Sequence, residues 1–385
     1  MKLNEIETYI NTLIEDELNF KNSGWSTETK PDAGIQPIFF RFIRFFNLLL
    51  FSIFDFARLY LKVRFNKNSL KNKRFVYTAR NFCNLVDGKL VDRVVKPLFT
   101  DNIIFINPSK EILLDEINGQ KVYNLGVLVK FLSFFYRDRA QFMCYFKAYS
   151  LVNNAIIKRL ERHEVYMLWF YNLNSLSLIF SAFRQNICLI EVQHGSMVNY
   201  PPYSKSAPVK IADVFYVKNQ PTIEYLKTHL CLNFPAEYRL IPYPRQKRGV
   251  FPGFHMLYAS TVEFNGLHPV MQKFLAKIRQ DDFHLIIRLH PRERDKEFLF
   301  IEQMTAYKVN YQFDRSENWL EGNNIFNLIV VSPWSSTIED AYDNGFQTII
   351  IDPVGRERYQ HLIDNQRCFY SDNLSQTFSG ILLET

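Results

Sequence analysis

The feature that most constrains the fold is a series of short, almost uninterrupted apolar runs that alternate with amphipathic stretches. From about residue 75, the runs DNIIFINPS, VYMLWFY, NICLIEV and ADVFYVKN predict strands, and NLGVLVKFLSFFYRD predicts a helix between them. Strands that are apolar throughout and are separated by helices are typical of a parallel sheet covered on both faces. The first half of the chain is therefore expected to be an α/β domain.

The same alternation restarts in the second half. HMLYAS, FHLIIRL, NLIVVS and QTIIIDP predict strands, whereas PVMQKFLAKIRQ and STIEDAYDN predict helices. Residues 234–253, which are rich in proline, interrupt the pattern and are predicted to connect two domains. We expect an N-terminal helical segment (1–74), a first Rossmann-like domain (75–240) and a second one (241–385), with both sets of strand ends facing a cleft.

Composition narrows the class of protein. The chain has 385 residues, of which 47% are hydrophobic and 22% charged, so it can form two well-packed cores. Its five cysteines are scattered without a CxxC pair, so neither a disulfide framework nor a cysteine zinc site is expected. The acidic N-terminus lacks the features of a signal peptide, and we expect a cytoplasmic location.

One segment is both aromatic and basic. In PIFFRFIRFFNLLLFSIFDFARLYLKVRF, positions 41, 44, 47, 52, 55, 58 and 62 are polar and recur mostly every three or four residues, which predicts a helix with one narrow polar stripe. Residues 41–74 contain nine Lys or Arg against one acid, Asp55, so the positive charge is local and does not indicate nucleic-acid binding. Two interpretations stay open: a helix packed on the protein, or a helix lying in a membrane surface with the basic tail on anionic lipid. A spanning helix is disfavoured by its charges.

Two histidines stand where strands are predicted to end. His194 and Gly195 follow the apolar run CLIEV, and His290 follows FHLIIRL. Arg288, Arg292 and Arg294 make the neighbourhood of His290 positive, as a bound phosphate requires. The pair His268-Pro269 looks similar, but Pro269 is expected to open a helix, so we interpret that pair as structural.

A third candidate lies in VVSPWSSTIEDAYDN. Ser335 and Ser336 precede a predicted helix, whose free N–H groups suit a phosphate, and Glu339 lies one turn further, where it could accept ribose hydroxyls. The same residues can be read structurally, because Ser336 and Glu339 have the spacing of a capping box.

Together, EVQHGSMVNY, YASTVEF, RLHPRE and VVSPWSSTIEDAYDNGFQTIIID resemble motifs of GT-B glycosyltransferases that build bacterial surface polysaccharides. The nearest patterns are those of the sialyl- and ketodeoxyoctonate transferases and of the CDP-glycerol glycerophosphotransferases. The resemblance covers about residues 185–355. It implies transfer of a sugar, with a CMP-linked acidic sugar favoured, from a nucleotide donor to a glycan or lipid-linked glycan, on the inner face of the cytoplasmic membrane.

The resemblance also implies roles for individual residues. His194 would be the base that deprotonates the acceptor hydroxyl, with Glu191 or Gln193 orienting it. The implied donor-side residues are Ser260, Thr261, Arg288, His290, Ser335, Ser336, Thr337 and Glu339, and the implied acceptor-side residues are Gly195, Tyr200 and Tyr203. The sequence has no Asp-x-Asp clamp, so no metal and no other cofactor are expected. The alternatives are a CDP-polyol phosphotransferase, a sugar-nucleotide epimerase of the same fold, and a non-catalytic membrane-surface protein.

Overall fold

The computed structural model describes residues 8–13, 38–65, 70, 73–86, 88–109, 112–137, 141–160, 163–183, 185, 187–242, 254–278, 283–316, 319–322, 328–364 and 366–378. The helices are α1 (Ile38–Phe65), α2 (Gly126–Ser133), α3 (Gln141–Ile157), α4 (Leu173–Ala182), α5 (Gln220–Thr228), α6 (Pro269–Leu275), α7 (Glu297–Tyr307), α8 (Trp319–Gly322), α9 (Thr337–Asp343) and α10 (Pro353–Arg358). Short 3-10 helices cover Arg80–Phe82, Pro201–Tyr203 and Pro291–Lys296.

The strands form two large sheets and one hairpin. Those of the first half are β1 (Arg74–Tyr77), β2 (Cys83–Val86), β3 (Lys89–Asp92), β4 (Ile103–Asn107), β5 (Glu116–Ile117), β6 (Gln120–Asn124), β7 (Glu164–Met167), β8 (Cys188–Val192), β9 (Val214–Val217) and β10 (Glu237–Leu240). Those of the second half are β11 (Phe254–Ala259), β12 (Phe283–Arg288), β13 (Tyr311–Phe313), β14 (Leu328–Ser332), β15 (Gln347–Ile350) and β16 (Cys368–Tyr370). Every strand predicted from an apolar run is present.

The first sheet has the order β10-β9-β8-β7-β1-β4-β6-β5 and is parallel except for the β5–β6 pair. The chain enters at the centre, runs outward through β4 to β6, and returns to β7 on the other side of β1. The crevice outside the carboxyl ends of β1 and β7 is therefore a topological switch point, which is where α/β sheets bind ligands.

The second sheet has the order β13-β12-β11-β14-β15-β16 and is parallel throughout. Its switch point lies between β11 and β14. Both sheets are covered on both faces, because consecutive strand residues pack into different cores: Phe75 and Val76 do so in the first domain, and Met256 and Leu257 in the second. This confirms the expected fold class, two doubly wound α/β domains in the GT-B arrangement with an N-terminal helix.

The extent of the predicted connection was wrong in part. The proline-rich residues 234–253 were predicted to be a connection, but Glu237–Leu240 is β10, the edge strand of the first sheet, paired in parallel with β9. Its backbone N–H groups are available for this ladder because the nearest prolines stand outside the strand. Residues 243–253 lie outside the described residues, and the domain boundaries at 74/75 and 240/241 stay predictions.

Helix α1 packs against the first domain through a side that contains both apolar and polar residues. Its buried positions are Leu49, Ser52, Asp55, Leu59 and Val63, which recur every three or four residues. The Ser52 hydroxyl donates to the carbonyl of Asn124 at 2.7 Å, and Asp55 accepts from both the backbone N–H and the side-chain amide of Asn124, at 3.0 and 3.1 Å. Two members of the predicted polar stripe therefore point into the protein.

The polar positions of α1 therefore do not share one environment, since Ser52 and Asp55 are buried whereas Arg58 is exposed. The solvent side of α1 carries large apolar groups, among them Phe51 and Phe54, which are 63% and 70% exposed. The side chains of Arg41 and Arg44 lie outside the part of α1 whose side chains are described. Among the described residues, no helix combines the length and apolar character that crossing a bilayer requires.

Candidate functional site

The candidate site is the cleft between the carboxyl ends of the two sheets. On the first domain, His194 follows β8 and Lys218 follows β9. On the second domain, Ser260 follows β11 and His290 stands two residues after β12. Parallel strands that end at one edge bring these residues onto facing walls.

At one end of the cleft the two domains are joined by polar contacts. Lys218 Nζ lies 2.9 Å from Asp340 Oδ1 and 3.9 Å from Glu339 Oε2, and the Gln193 amide donates to Glu339 Oε2 at 3.1 Å. The Asn219 amide donates to Asp343 Oδ2 at 3.5 Å. We call these residues, Gln193, Lys218, Asn219, Glu339, Asp340 and Asp343, the paired end.

Glu339 is fully buried at the paired end. Burial raises the pKa of Glu339, and the Lys218 ammonium partly offsets that effect. Burial, together with the Glu339 and Asp340 carboxylates, raises the pKa of Asp343 to about 8. The carboxyl group that the sequence suggested for ribose binding is thus engaged across the cleft through its Oε2 atom.

The other end of the cleft is rich in arginine. A cavity of about 140 Å³ is lined by Arg93 of the first domain and by residues of the second, namely Arg288, Leu289, Arg294, Glu297, Phe313, Asp314 and Arg315. Arg288 donates to Asp314 at 2.7 Å, and Arg315 lies 2.5 Å from Glu297. Four guanidinium groups thus face two carboxylates, so the cavity carries an excess of positive charge. We call it the arginine end.

His194 lies between these two ends. Its ring meets Phe82 and Trp169 edge-on, with centroid distances of 5.1 and 5.6 Å. Burial lowers the pKa of His194 to about 3; the Leu168 carbonyl partly offsets this, and the charges of Arg93, Lys218 and Arg358 lower it further. The imidazole is therefore neutral at physiological pH, which is the proton-accepting form.

Glu191 does not orient His194 in this structure. It is fully buried, and its Oε1 accepts a 2.5 Å hydrogen bond from the Tyr203 hydroxyl. Burial raises the pKa of Glu191 to about 8, although that hydrogen bond and one from the Phe170 backbone lower it. Tyr203 is buried as well, in a cluster with Tyr171 and the half-buried Tyr200, so its ring belongs to the core of the first domain.

The alternative orienting residue, Gln193, is committed elsewhere. Its amide also donates to the Gly195 carbonyl at 3.0 Å, and its oxygen accepts from the Lys218 backbone N–H at 2.7 Å. At Gly195 an added Cβ would meet nothing within 4 Å, so the space beside this residue is open. Whether an acceptor uses that space stays a prediction.

The two His-Pro pairs are more alike than predicted. His268 and His290 both precede a first-turn proline, have nearly equal backbone angles, and accept at Nδ1 from the N–H two residues on, at 3.2 Å in each case. The difference lies at the other ring nitrogen. His268 Nε2 lies 3.1 Å from Asp352, whereas within the described residues no hydrogen bond is found for His290 Nε2. Burial lowers the pKa of His290 to about 4, with Arg292 and Arg93 acting in the same direction.

The two hydroxyl residues that follow β11, Ser260 and Thr261, differ in the contacts that they make. Ser260 donates to Glu293 at 2.5 Å and accepts from the His290 backbone N–H at 2.8 Å, so it fixes the position of His290. Thr261, the next residue, is buried.

The serines before α9 do not form the capping box that the sequence allows. Ser336 makes no side-chain capping hydrogen bond. Instead Ser335 donates to Thr337 Oγ1 at 3.0 Å and accepts from the Thr337 N–H at 3.3 Å. Gly355 of α10 packs so closely on this loop that a Cβ there would lie 1.8 Å from the Pro333 carbonyl oxygen.

Sequence reasoning missed several charged residues of the cleft, among them Lys218, Arg93 and Arg358. Lys218 directly follows β9, and His194 stands two residues after the end of β8. The strand-exit criterion that identified His194 could therefore also have identified Lys218. Arg93 follows the β2–β3 hairpin and Arg358 ends α10, and no local pattern marks either of them. Among the described residues, no group of three or more His, Cys, Asp or Glu side chains is placed to hold a metal ion.

No family model and no curated protein sequence matches the chain. Among solved structures, it is similar to the lipopolysaccharide outer core galactosyltransferase WaaB in its apo form, with 13% identity and a TM-score of 0.49 over 80% of this chain and 88% of that one. It is also similar to UDP-GlcNAc 2-epimerase from Neisseria meningitidis bound to UDP-GlcNAc, with 10% identity, a TM-score of 0.47, and coverage of 80% and 91%. It is similar as well to MurG from Acinetobacter baumannii, with 11% identity, a TM-score of 0.46, and coverage of 80% of this chain and 90% of that one. A transferase and an epimerase both occur, so these likenesses do not choose a reaction.

Proposed function

We propose that the protein is a metal-independent glycosyltransferase that moves a sugar from a nucleotide-activated donor to a hydroxyl of a surface glycan or its lipid-linked precursor. The observation that carries this proposal is the arginine end. Arg93 and Arg288 approach each other from the two domains, and like charges are placed together in a cavity where an anion can separate them.

The positive excess fits a donor with two negative charges, and it does not choose between the donor classes. A CMP-linked acidic sugar presents one phosphate and one carboxylate, and the excess of two guanidinium groups over carboxylates matches that charge. A nucleoside diphosphate sugar presents two phosphate charges to the same cavity. The resemblance of the sequence motifs favours the CMP donor, and the choice is open to direct measurement.

In the proposed reaction the acceptor oxygen forms a bond to the anomeric carbon while the bond from that carbon to the donor phosphate breaks. The phosphate leaves with the electron pair, and Arg93, Arg288 and His290 Nε2 stabilise its charge. His194 Nδ1 or Nε2 takes the proton of the acceptor hydroxyl. Since nearby cations lower the pKa of His194, a bound donor anion raises its basicity when it is needed.

The first test is a thermal-shift screen of the full chain against CMP, CDP, UDP, dTDP and GDP. A ligand that binds only the folded state stabilises it, by about 2.7 kcal/mol at a ligand concentration of a hundred times its Kd, and therefore raises the melting temperature. We expect a clear rise in melting temperature with one of these nucleotides, and CMP is the favoured one. Folded protein with no shift for any of the five nucleotides would overturn the proposal.

The alternative reactions differ in their products. With a nucleotide sugar and no acceptor, an epimerase changes the configuration of the sugar, whereas a transferase leaves it unchanged apart from slow hydrolysis. A polyol phosphotransferase leaves a phosphodiester in the product instead of a glycosidic bond. Nuclear magnetic resonance of the sugar and its product distinguishes the three.

Two histidine variants separate binding from chemistry. His194→Ala should keep nucleotide affinity and lower turnover about 10²- to 10⁴-fold, because a general base is removed. His290→Ala should weaken nucleotide binding about tenfold, because a donor to phosphate is lost. His268→Ala is the matched control, with the same capping geometry, and should reduce stability without changing nucleotide affinity. Near-normal turnover in His194→Ala would show that the base lies elsewhere.

A further inference from the structure

The outer side of α1 concentrates exposed apolar surface. Of the seventeen large apolar side chains that are exposed among the described residues, seven lie on this helix: Phe46, Leu50, Phe51, Ile53, Phe54, Leu61 and Phe65. Single exposed apolar residues are ordinary, but a large group on one helix marks a surface that contacts something else. We call these seven residues the α1 face.

Buried hydrogen bonds hold the α1 face outward. Ser52 donates to the Asn124 carbonyl and accepts from the Leu128 N–H at 3.0 Å, and Asp55 accepts from Asn124. Rotating the helix to hide its aromatic side would bring Ser52 and Asp55 to water but leave the Asn124 and Leu128 N–H groups without these partners, which is costly. The apolar surface is therefore fixed by the fold.

The apolar surface continues onto the neighbouring helix. Lys130 of α2 lies with its Nζ 5.8 Å from the centre of the Phe45 ring, which places α2 directly beside α1. Phe134 and Phe135 follow α2 by one and two residues, and each is 70% exposed. Exposed aromatic groups thus lie both on α1 and directly after the helix that packs beside it.

The charges around this surface are positive. Arg58 and Arg64 of α1 are exposed, and the Arg64 guanidinium lies 5.0 Å from the centre of the Phe65 ring. Asp55 is the one acid among residues 41–74, against nine Lys or Arg, and it is buried and hydrogen-bonded. An aromatic face bordered by cations is complementary to a bilayer surface that contains anionic lipid.

We propose that the α1 face, together with Phe134 and Phe135, docks the protein on an anionic membrane surface, with α1 lying parallel to the bilayer. This deepens the proposed function, since a lipid-linked acceptor would be reached from such a position. Docking itself needs no nucleotide, so it can fail or succeed independently of the glycosyl transfer.

The test is sedimentation of the full chain with vesicles of phosphatidylglycerol and phosphatidylethanolamine, compared with vesicles of phosphatidylcholine alone. We expect binding to the anionic vesicles that weakens with salt. Phe51→Ser/Phe54→Ser should weaken it at least about tenfold, because two apolar anchors are removed. Leu232→Ser/Phe298→Ser, which changes residues that are 63% and 61% exposed elsewhere, should bind as the wild type does.

Arg58→Gln/Arg64→Gln is a second variant that leaves the apolar anchors intact. It should lower binding to the anionic vesicles about tenfold and change binding to phosphatidylcholine little. Equal binding by the wild type and Phe51→Ser/Phe54→Ser would overturn the proposal, as would an equal loss in the Leu232 and Phe298 control. A lipid-free dimer that Phe51→Ser/Phe54→Ser dissociates, together with no vesicle binding, would assign the α1 face to a second copy of the chain. The thermal-shift screen with nucleotides, carried out on the same variants, tests the proposed function separately.

Discussion

At the paired end of the cleft, Lys218 lies among Glu339 and Asp340 of the opposite domain, whereas at the arginine end Arg93 lies close to Arg288, another cation of the opposite domain. Both ends bring charged residues together from two domains. They differ in the balance of the charges. The paired end has its counter-ions within the chain, while the arginine end keeps an excess of positive charge.

This difference separates two tasks of the cleft. Satisfied buried charges hold two surfaces in a fixed relation, because pulling them apart leaves a charge unpaired. Unbalanced charges favour the arrival of an anion, since the anion removes the repulsion between them. Removal from water lowers the pKa of Arg93 and the Arg288 guanidinium lowers it further, whereas the Asp92 and Asp340 carboxylates partly offset this. We infer that the paired end positions the domains and the arginine end receives the donor.

The largest effect is expected at the paired end. Lys218→Met should lower the free energy of unfolding by about 3 kcal/mol, because the buried Glu339 and the half-buried Asp340 lose their cation. Lys227→Met is the matched control. Lys227 forms a 3.1 Å ion pair with Glu224 on the surface of α5, and its loss should cost less than about 0.5 kcal/mol.

Urea unfolding of the wild type and of the Lys218 and Lys227 variants measures both effects. Equal losses in the two lysine variants would show that the paired end does not stabilise the folded chain more than an ordinary surface pair does.

The next effect should appear at the arginine end and in binding only. Arg93→Met should weaken nucleotide binding about tenfold or more, because a charge-assisted hydrogen bond to phosphate contributes about 1.5–3 kcal/mol. Isothermal titration calorimetry with the nucleotide found in the thermal-shift screen measures the affinity.

The control for Arg93→Met is Arg239→Met, which removes an arginine that pairs with Glu237 on the exposed strand β10. It should leave affinity unchanged. An equal loss of affinity in the Arg93 and Arg239 variants would mean that only the overall positive charge of the protein matters.

The sequence predicted the strands of the two sheets well because a fully buried strand has a strong local signal. Ile103–Asn107 and Leu328–Ser332 are buried along their whole length, and their apolar runs show it. It also predicted that His194 and His290 stand at strand exits. Strand β10 was mistaken for a connection because it is an exposed edge strand, EYRL, with little apolar character.

Other features depend on contacts between distant parts of the chain. The orientation of α1 follows from Asn124, which binds Ser52 and Asp55 from about 70 residues away, and α1 is apolar on more than one side. The distinction between His268 and His290 likewise depends on Asp352, which lies 84 residues beyond His268. Local patterns identify elements and their ends, but they do not show which partner a polar side chain meets.

The smallest effect tests whether the paired end weakens at alkaline pH. Because the folded pKa of Asp343 is raised to about 8, the folded state holds a proton that the unfolded state releases above about pH 4. The stability associated with Asp343 is therefore complete below about pH 4 and is lost as the pH rises through 8. Asp343→Asn keeps this position neutral. Its free energy of unfolding relative to the wild type should therefore rise between pH 5 and pH 8.5 by an amount on the order of 1 kcal/mol, and its relative melting temperature should rise with it.

Asp364→Asn gives the opposite sign and serves as the control for Asp343→Asn. Asp364 is partly removed from water, but the N–H groups of Arg367, Cys368 and Gln366 lower its pKa to about 2. Its contribution is lost only as the pH falls below about 4, so Asp364→Asn should lower the melting temperature equally at pH 6 and pH 8.5. If Asp343→Asn also shows a constant difference over this range, Asp343 is ionised in the folded protein. Lys218 would then face three ionised carboxylates at the paired end, and alkaline pH would not loosen it further.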